Sequence, residues 1–212
     1  MIKRLFLSGF LLILLLLNFG FGNESEKGPN SESETVTGYR IDGAHTNVGF
    51  SVQHMVLSKV YGEFKDYDVD LKWDEDNLEN SSIEARIKTA SIDTDNERRD
   101  NHLKSADFLD VENHPEIVFK SSQIEKDGDG YVAHGALTIR GVTKNVSLPF
   151  TVLGHFVQPN GTTRMGFEAN LKINRFDYNV SWDKTLDSGG LIVGEDINID
   201  IQAEFVSTNS SG

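Results

Sequence analysis

The chain has 212 residues, 38% hydrophobic and 25% charged, an ordinary globular composition long enough for one good-sized domain or two small ones. With 33 acidic against 20 basic side chains and a formal net charge of −13, it lacks the Lys/Arg-rich balance that binding a phosphate backbone needs, which argues against nucleic acid as a partner. The absence of cysteine excludes disulfides, thiolate metal sites and a cysteine nucleophile, and 4 Pro with 19 Gly leave no room for collagen-like or low-complexity architecture.

Residues 1–22 read as an export signal. Lys3 and Arg4 precede an apolar run over residues 5–17, broken only by Ser8 and Gly9, and Gly20-Phe21-Gly22 offers small residues at a cleavage site. The run would reach only about 20 Å as a helix, short of the ~30 Å hydrocarbon core of a membrane. A periplasmic or secreted location is therefore expected, with no stable membrane insertion after cleavage. Residues 23–38 are rich in Ser and Glu (Glu24, Glu26, Glu32, Glu34) and hold little to bury, so they read as a disordered acidic linker. The domain is expected over residues 39–206, with a frayed tail at 207–212.

Within that domain the dominant period is two. Val48, Phe50, Val52, His54 and Val56 alternate with Gly49, Ser51, Gln53 and Met55, and Val60, Gly62 and Phe64 continue the strand run. The phase then slips to Tyr67, Val69, Leu71 and Trp73, which predicts a bulge near Lys65-Asp66. Ile83, Ala85 and Ile87 form the next strand. Over residues 95–110 the alternation stops and helix-tolerant residues take over, predicting one or two short helices, the first capped by Thr94 or Asp95 and the second by Ser105 with Phe108 and Leu109.

Ile117 and Phe119 lead to the hairpin signal Asp127-Gly128-Asp129-Gly130. Leu137 and Ile139, a turn at Gly141, then Val146, Leu148, Phe150 and Val152 follow, with another turn at Pro159-Asn160-Gly161. Met165, Phe167, Ala169, Leu171 and Ile173 alternate most clearly, and Ile197, Ile199, Ile201, Ala203 and Phe205 close the domain. Eight to ten strands joined mostly by hairpins predict an all-β antiparallel sandwich or barrel, and a barrel of about eight strands has room for one small ligand.

Several segments, taken in order, resemble the YceI-like, polyisoprenoid-binding, lipocalin-like family. They are Tyr39-Arg40-Ile41-Asp42 with His45, Phe50-Ser51-Val52 with His54, and Val60-Tyr61-Gly62-Glu63-Phe64. A central block follows in Ser91-Ile92-Asp93-Thr94, Arg99-Asp100-Asn101-His102-Leu103, Asp107-Phe108-Leu109 and His114-Pro115-Glu116-Ile117, and then the run from Gly135-Ala136-Leu137 through Thr143. The resemblance implies an extended antiparallel lipocalin-like β-barrel with a hydrophobic tunnel. It implies export, and a long apolar ligand such as a polyprenyl phosphate, an isoprenoid quinone or a fatty acyl derivative. It further implies a homodimer and no enzymatic activity. Where the family often shows Arg-Ser-Asp-Phe-Gly, this chain reads Arg175-Phe176-Asp177-Tyr178-Asn179, and Tyr178, read there in place of glycine, is expected to narrow one tunnel mouth.

Strand parity nominates Phe50, Val52, Val56, Phe64, Leu137, Phe150, Phe167, Leu171 and Ile199 as wall residues. His54 shares the face of Phe50 and Val56, either as a satisfied interior histidine or as a contact to a ligand's head group. Arg99, within the cluster Arg98, Arg99, Asp100 and His102, reads either as a polar contact at a tunnel mouth or as part of a salt-bridged helix flanking the barrel. Arg175 and Trp182 are candidates for the other entrance, Trp182 also for a packed lid.

The six histidines show no metal-ligand spacing, Asp127-Gly128-Asp129-Gly130 lacks the full calcium-loop pattern, and no nucleophile elbow or phosphate loop is present. No metal, cofactor or catalytic residue is therefore expected, a bound isoprenoid or quinone being a ligand instead. Two readings stay open on the residues alone. One is an exported carrier of an apolar molecule, the other an exported acidic β-domain whose packed interior holds nothing and which acts through its surface.

Overall fold

The structure is a computed structural model that describes residues 36–55, 57–185 and 192–208. The expected signal (1–22), all of the linker before residue 36, Val56 and residues 209–212 lie outside the described residues.

Among the described residues there are eleven strands and one α-helix: β1 (Thr37–Ile41), β2 (Asn47–His54), β3 (Ser58–Phe64), β4 (Tyr67–Trp73), β5 (Ser82–Lys88), β6 (Ile92–Asp93), α1 (Glu97–Lys104), β7 (Glu116–Asp127), β8 (Gly130–Ile139), β9 (Val142–Val157), β10 (Thr163–Asn174) and β11 (Val193–Ser207). All pairings are antiparallel, in the order β1-β4-β5-β7-β8-β9-β10-β11, and β1 also pairs with β11, so the sheet closes on itself. Tyr39 in β1 lies opposite Leu71 on one side and Ser207 on the other. Strands β2 and β3 extend this ring from the first half of β11, with Phe50 opposite Ile199 and Gly62.

Eleven segments trace eight paths because three of the paths are broken at one level. A 3₁₀ turn at Gly43–His45 divides β1 from β2, Lys65 and Asp66 divide β3 from β4, and a 3₁₀ turn at Thr89–Ser91 divides β5 from β6. The breaks are stitched together: the Lys65 amide donates to the Ser91 carbonyl (3.2 Å) and the Lys88 amide to the Asp66 carbonyl (2.9 Å). The phase slip at Lys65-Asp66 was thus a real interruption, shared by its neighbours. The result is an eight-stranded closed antiparallel barrel, as the alternation predicts.

The turns at 128–129 and 140–141 are two-residue hairpin loops, with Asp127 opposite Gly130 and Ile139 opposite Val142. Arg140 (φ 48°) and Gly141 (φ 73°) both take positive φ, the geometry that matches the twist of the flanking strands. One turn was not foreseen. The run through Val60 reverses at Met55–Leu57, where Met55 adopts φ 50° and the Leu57 amide donates to the His54 carbonyl (3.0 Å). No Gly, Asn or Pro marks it, so the apolar pattern reads straight across the tip.

Helix α1 falls within the predicted stretch, but its cap is Asn96, whose side chain accepts from the Arg99 amide (3.0 Å). Neither predicted residue is free for that task. The Thr94 hydroxyl donates to Asp100 (2.5 Å), and Asp95 sits at φ 58°. Ser105 does start a further turn, accepting at its carbonyl from the Phe108 amide (3.0 Å).

Packing is uneven along the barrel. One end is filled by aromatic rings: Trp73 stands edge-on to Tyr131 (5.0 Å between centroids), Phe150 (6.1 Å) and Phe167 (5.9 Å), and Phe167 contacts Phe205 (5.0 Å). Near it Leu71 and Ala133 are fully buried. The middle band is looser, since Ile83, Ala85, Ile87, Leu148, Leu171, Ile199 and Ile201 are only partly buried although they face inward. Among the described residues no helix is long and apolar enough to cross a membrane.

Candidate ligand cavity

Two cavities occupy the loosely packed interior. The inner one, about 160 Å³, lies against the aromatic end and is walled by apolar side chains including Leu137, Phe150, Phe167, Leu171 and Ile201. The outer one, about 140 Å³, is walled by Val52, Ile173 and Ile197 from strands, and covered by Leu103, Phe108 and Leu109 from α1 and its following turn and by Tyr178 and Val180. Phe50, Phe64, Ile117, Ile139 and Ile199 line both, so these five residues stand between the two cavities at a waist. At the waist the Phe50 and Phe64 rings lie 5.8 Å apart, tilted by 43°. An apolar cavity of about 150 Å³ stays dry and admits a benzene-sized guest, so each chamber is suited to a hydrocarbon segment of roughly five or six carbons.

Of the wall residues nominated by parity, Phe50, Val52, Phe64, Leu137, Phe150, Phe167, Leu171 and Ile199 line one or both chambers, and Val56 lies outside the described residues. The polar nominees fare differently. Arg175 touches the outer chamber but its guanidinium is turned to the backbone: Nε donates to the Gly194 carbonyl (2.8 Å), one Nη to Val180 (2.6 Å) and the other to Val193 (3.2 Å). It is 3% exposed, and burial pulls its pKa below the ordinary arginine value. Arg175 therefore fastens the end of β10 to the start of β11 and is not an open contact at an entrance.

Arg99, His54 and Trp182 line neither chamber. The Arg99 guanidinium donates to the Thr94 hydroxyl (2.7 Å) and carbonyl (2.7 Å), while buried Asp100 accepts from the Thr94 amide (3.0 Å). This network pins the helix to the segment after β6. His54, half-buried at the last residue of β2, sits opposite Ser58 and Val193. Trp182 packs on Phe108 (5.3 Å) and His102 (5.5 Å), the lid arrangement foreseen for it. Tyr178 does line the outer chamber, 2% exposed, but counted along the run the residue in the glycine position is Asn179. Its φ of 58° is the conformation that favours glycine.

Chamber residues not nominated from the sequence include Ile117, Ile139, Ile173 and Ile197 and the lid residues Leu103, Phe108, Leu109, Tyr178 and Val180. The strand members were visible as alternating apolar positions. The lid members sit on irregular or helical segments, where period two gives no orientation.

Two polar groupings lie outside the chambers. Asp42, His45 and Glu204 have ligand atoms close enough to share a metal ion, yet Arg164 already bridges the two carboxylates, bonding Asp42 (2.7 Å) and Glu204. Hydrogen bonds from Arg164 and then His45 hold the Asp42 carboxyl at about 2. On the outer face of the barrel, His134 bonds Ser147 (2.9 Å) and Glu125 (3.1 Å), a cross-strand ladder of three neighbouring strands that lines neither chamber.

The comparisons with known proteins agree with this architecture. The protein YceI of Escherichia coli O157:H7 is 41% identical over 153 residues, covering 71% of this chain and 80% of that protein. A UPF0312 protein of Photorhabdus laumondii is 41% identical over 156 residues, covering 73% and 81% respectively. Among solved structures, Burkholderia cenocepacia BcnA superposes with a TM-score of 0.68 at 25% identity, over 77% of this chain and 98% of that one. The Campylobacter jejuni YCEI protein gives 0.64 at 34% identity, over 80% and 97%. A structure described as a polyisoprenoid-binding domain from Saccharophagus degradans shares the fold at 12% identity, with a TM-score of 0.57 over 80% and 98%. Residues 39–205 match the YceI-like domain, and the chain belongs to that family.

Proposed function

We propose that the protein is an exported binding protein that sequesters or carries a long apolar molecule, a polyisoprenoid, isoprenoid quinone or fatty acyl derivative, inside its barrel. The observation that carries this reading is the pair of adjacent chambers with apolar surfaces in a band where inward side chains stay partly unburied. A β-domain built only for its surface would gain by filling that space, because each vacant Å³ costs about 24 cal/mol in lost packing. The polyisoprenoid-binding description of the Saccharophagus degradans domain of the same fold points the same way. Export is supported by the positively charged, apolar, small-residue sequence of residues 1–22.

Affinity comes from the tail. Each buried methylene contributes roughly 0.8 kcal/mol, so a five-carbon isoprene unit gives about 3–4 kcal/mol before ordering costs. A chain that occupies both chambers gains about twice what either alone supplies. The test is Leu171→Arg, which places a guanidinium on the wall of the inner chamber. The expected result is loss of isoprenoid binding with the β-sheet circular dichroism retained. Undiminished binding by the folded variant would refute the chamber as the ligand site.

A further inference from the structure

At the waist between the chambers the Phe50 ring, in contact with Phe64, is seated where a side chain is absent. Gly62 faces Phe50 across the β2–β3 pair, and the Phe50 ring lies over it. A Cβ built on Gly62 would stand 2.5 Å from Phe50 Cζ and 2.7 Å from the Thr94 methyl, closer than any real contact. Of these two neighbours only one is free to move. Thr94 is 5% exposed and fixed by its amide and hydroxyl bonds to Asp100 and by the two donors of Arg99. Phe50 presents the far end of a ring on a rotatable side chain, bordered on its other side by both chambers.

We infer that Phe50 is a length gate: seated on Gly62 its ring meets Phe64 and divides the outer chamber from the inner one, and a long guest must displace it. This rests on the carrier reading given above and specifies which ligands that carrier takes. Each chamber alone suits about one isoprene unit by volume. A short guest fits without moving Phe50, while a guest of several units must displace Phe50 from Phe64. The Arg99-Thr94-Asp100 network thereby acquires a role at a distance, as the fixed wall against which Phe50 is seated.

The test compares isoprenol, with one isoprene unit, and geranylgeraniol, with four, by titration calorimetry of the full domain. The proteins are the wild type, Gly62→Ala and Phe50→Ala, each checked for folding by circular dichroism. Gly62→Ala pushes the ring into the waist, and its affinity for geranylgeraniol is expected to fall at least about tenfold, since each methylene kept out of the inner chamber forfeits roughly fourfold. Its affinity for isoprenol should change less than about threefold on the same scale. Phe50→Ala should shift the ratio of the two affinities the opposite way, and it decides the matter alone if Gly62→Ala does not fold. Parallel changes for both alcohols in Phe50→Ala, or none, would overturn the gate while leaving the carrier reading intact. A wild type that binds neither alcohol would instead overturn the carrier reading, and the gate with it.

Discussion

Arg175 shows how far a sequence-level assignment depends on where a side chain ends. Its three bonds to the carbonyls of Val180, Gly194 and Val193 satisfy acceptors on two segments that no strand pairing holds together. Replacing it by Met keeps much of the volume but leaves those carbonyls without their donors. Arg175→Met should therefore cost about 3 kcal/mol or more in urea unfolding, given 1–3 kcal/mol for each buried group left unpaired. A loss under about 1 kcal/mol would mean that water replaces the guanidinium and that Arg175 is not the fastener. Asp42 makes the complementary point about charge. With its folded pKa at about 2 against an ordinary 3.8, its ionised form is the one the fold favours. That stabilisation is fully present above the unfolded value and is lost as pH falls from near 4 through about 2. Urea midpoints measured across this window should drop less for Asp42→Asn than for the wild type, and identical acid profiles would show that Arg164 does not hold Asp42 in solution.

Elements were legible where their signal is local. The alternation Met165, Phe167, Ala169, Leu171 and Ile173 became β10 because one face of each strand is buried, and the turn at Gly128-Asp129 formed where glycine permits it. The Arg140-Gly141 turn is the most constrained hairpin. Gly141 combines φ 73° with His114 packed so that a Cβ would lie 2.8 Å from its ring. Gly141→Ala should destabilise the domain by about 1–2 kcal/mol through left-handed strain plus displacement of His114, and a thermal midpoint unchanged from the wild type would contradict that. Other elements escaped the sequence for physical reasons. The hairpin tip at Met55–Leu57 is built from residues that also suit a strand. Two of the three strand breaks are 3₁₀ turns too short to disturb the apolar pattern, whereas Lys65-Asp66 inserts an unmistakable polar pair. Asn96 became the helix cap because Thr94 and Asp95 were engaged elsewhere, which depends on Asp100 and on backbone conformation that only the fold supplies.

At the scale of the whole molecule, parity identified the inward faces correctly but left open whether they enclose space. That question depends on the summed side-chain volume around a ring drawn from eight strands, and no single segment carries it. Here the aromatic rings of Trp73, Tyr131, Phe150 and Phe167 fill one end, and α1 with its turn and Trp182 cover the other. Aliphatic residues of the middle band leave two chambers unfilled. Arg99 and Arg175 look available in a linear reading, while in three dimensions Arg99 donates to the Thr94 hydroxyl and carbonyl and Arg175 to three backbone carbonyls. The account stands or falls on whether those chambers take a chain. The most direct measurement is native mass spectrometry of the domain as purified and after incubation with geranylgeraniol, followed by solvent extraction and identification of what is released. A retained isoprenoid, quinone or acyl chain, present from the outset or taken up in a one-to-one complex, is the predicted result. An apo mass that persists in excess geranylgeraniol would contradict it and leave a domain that works through its acidic surface.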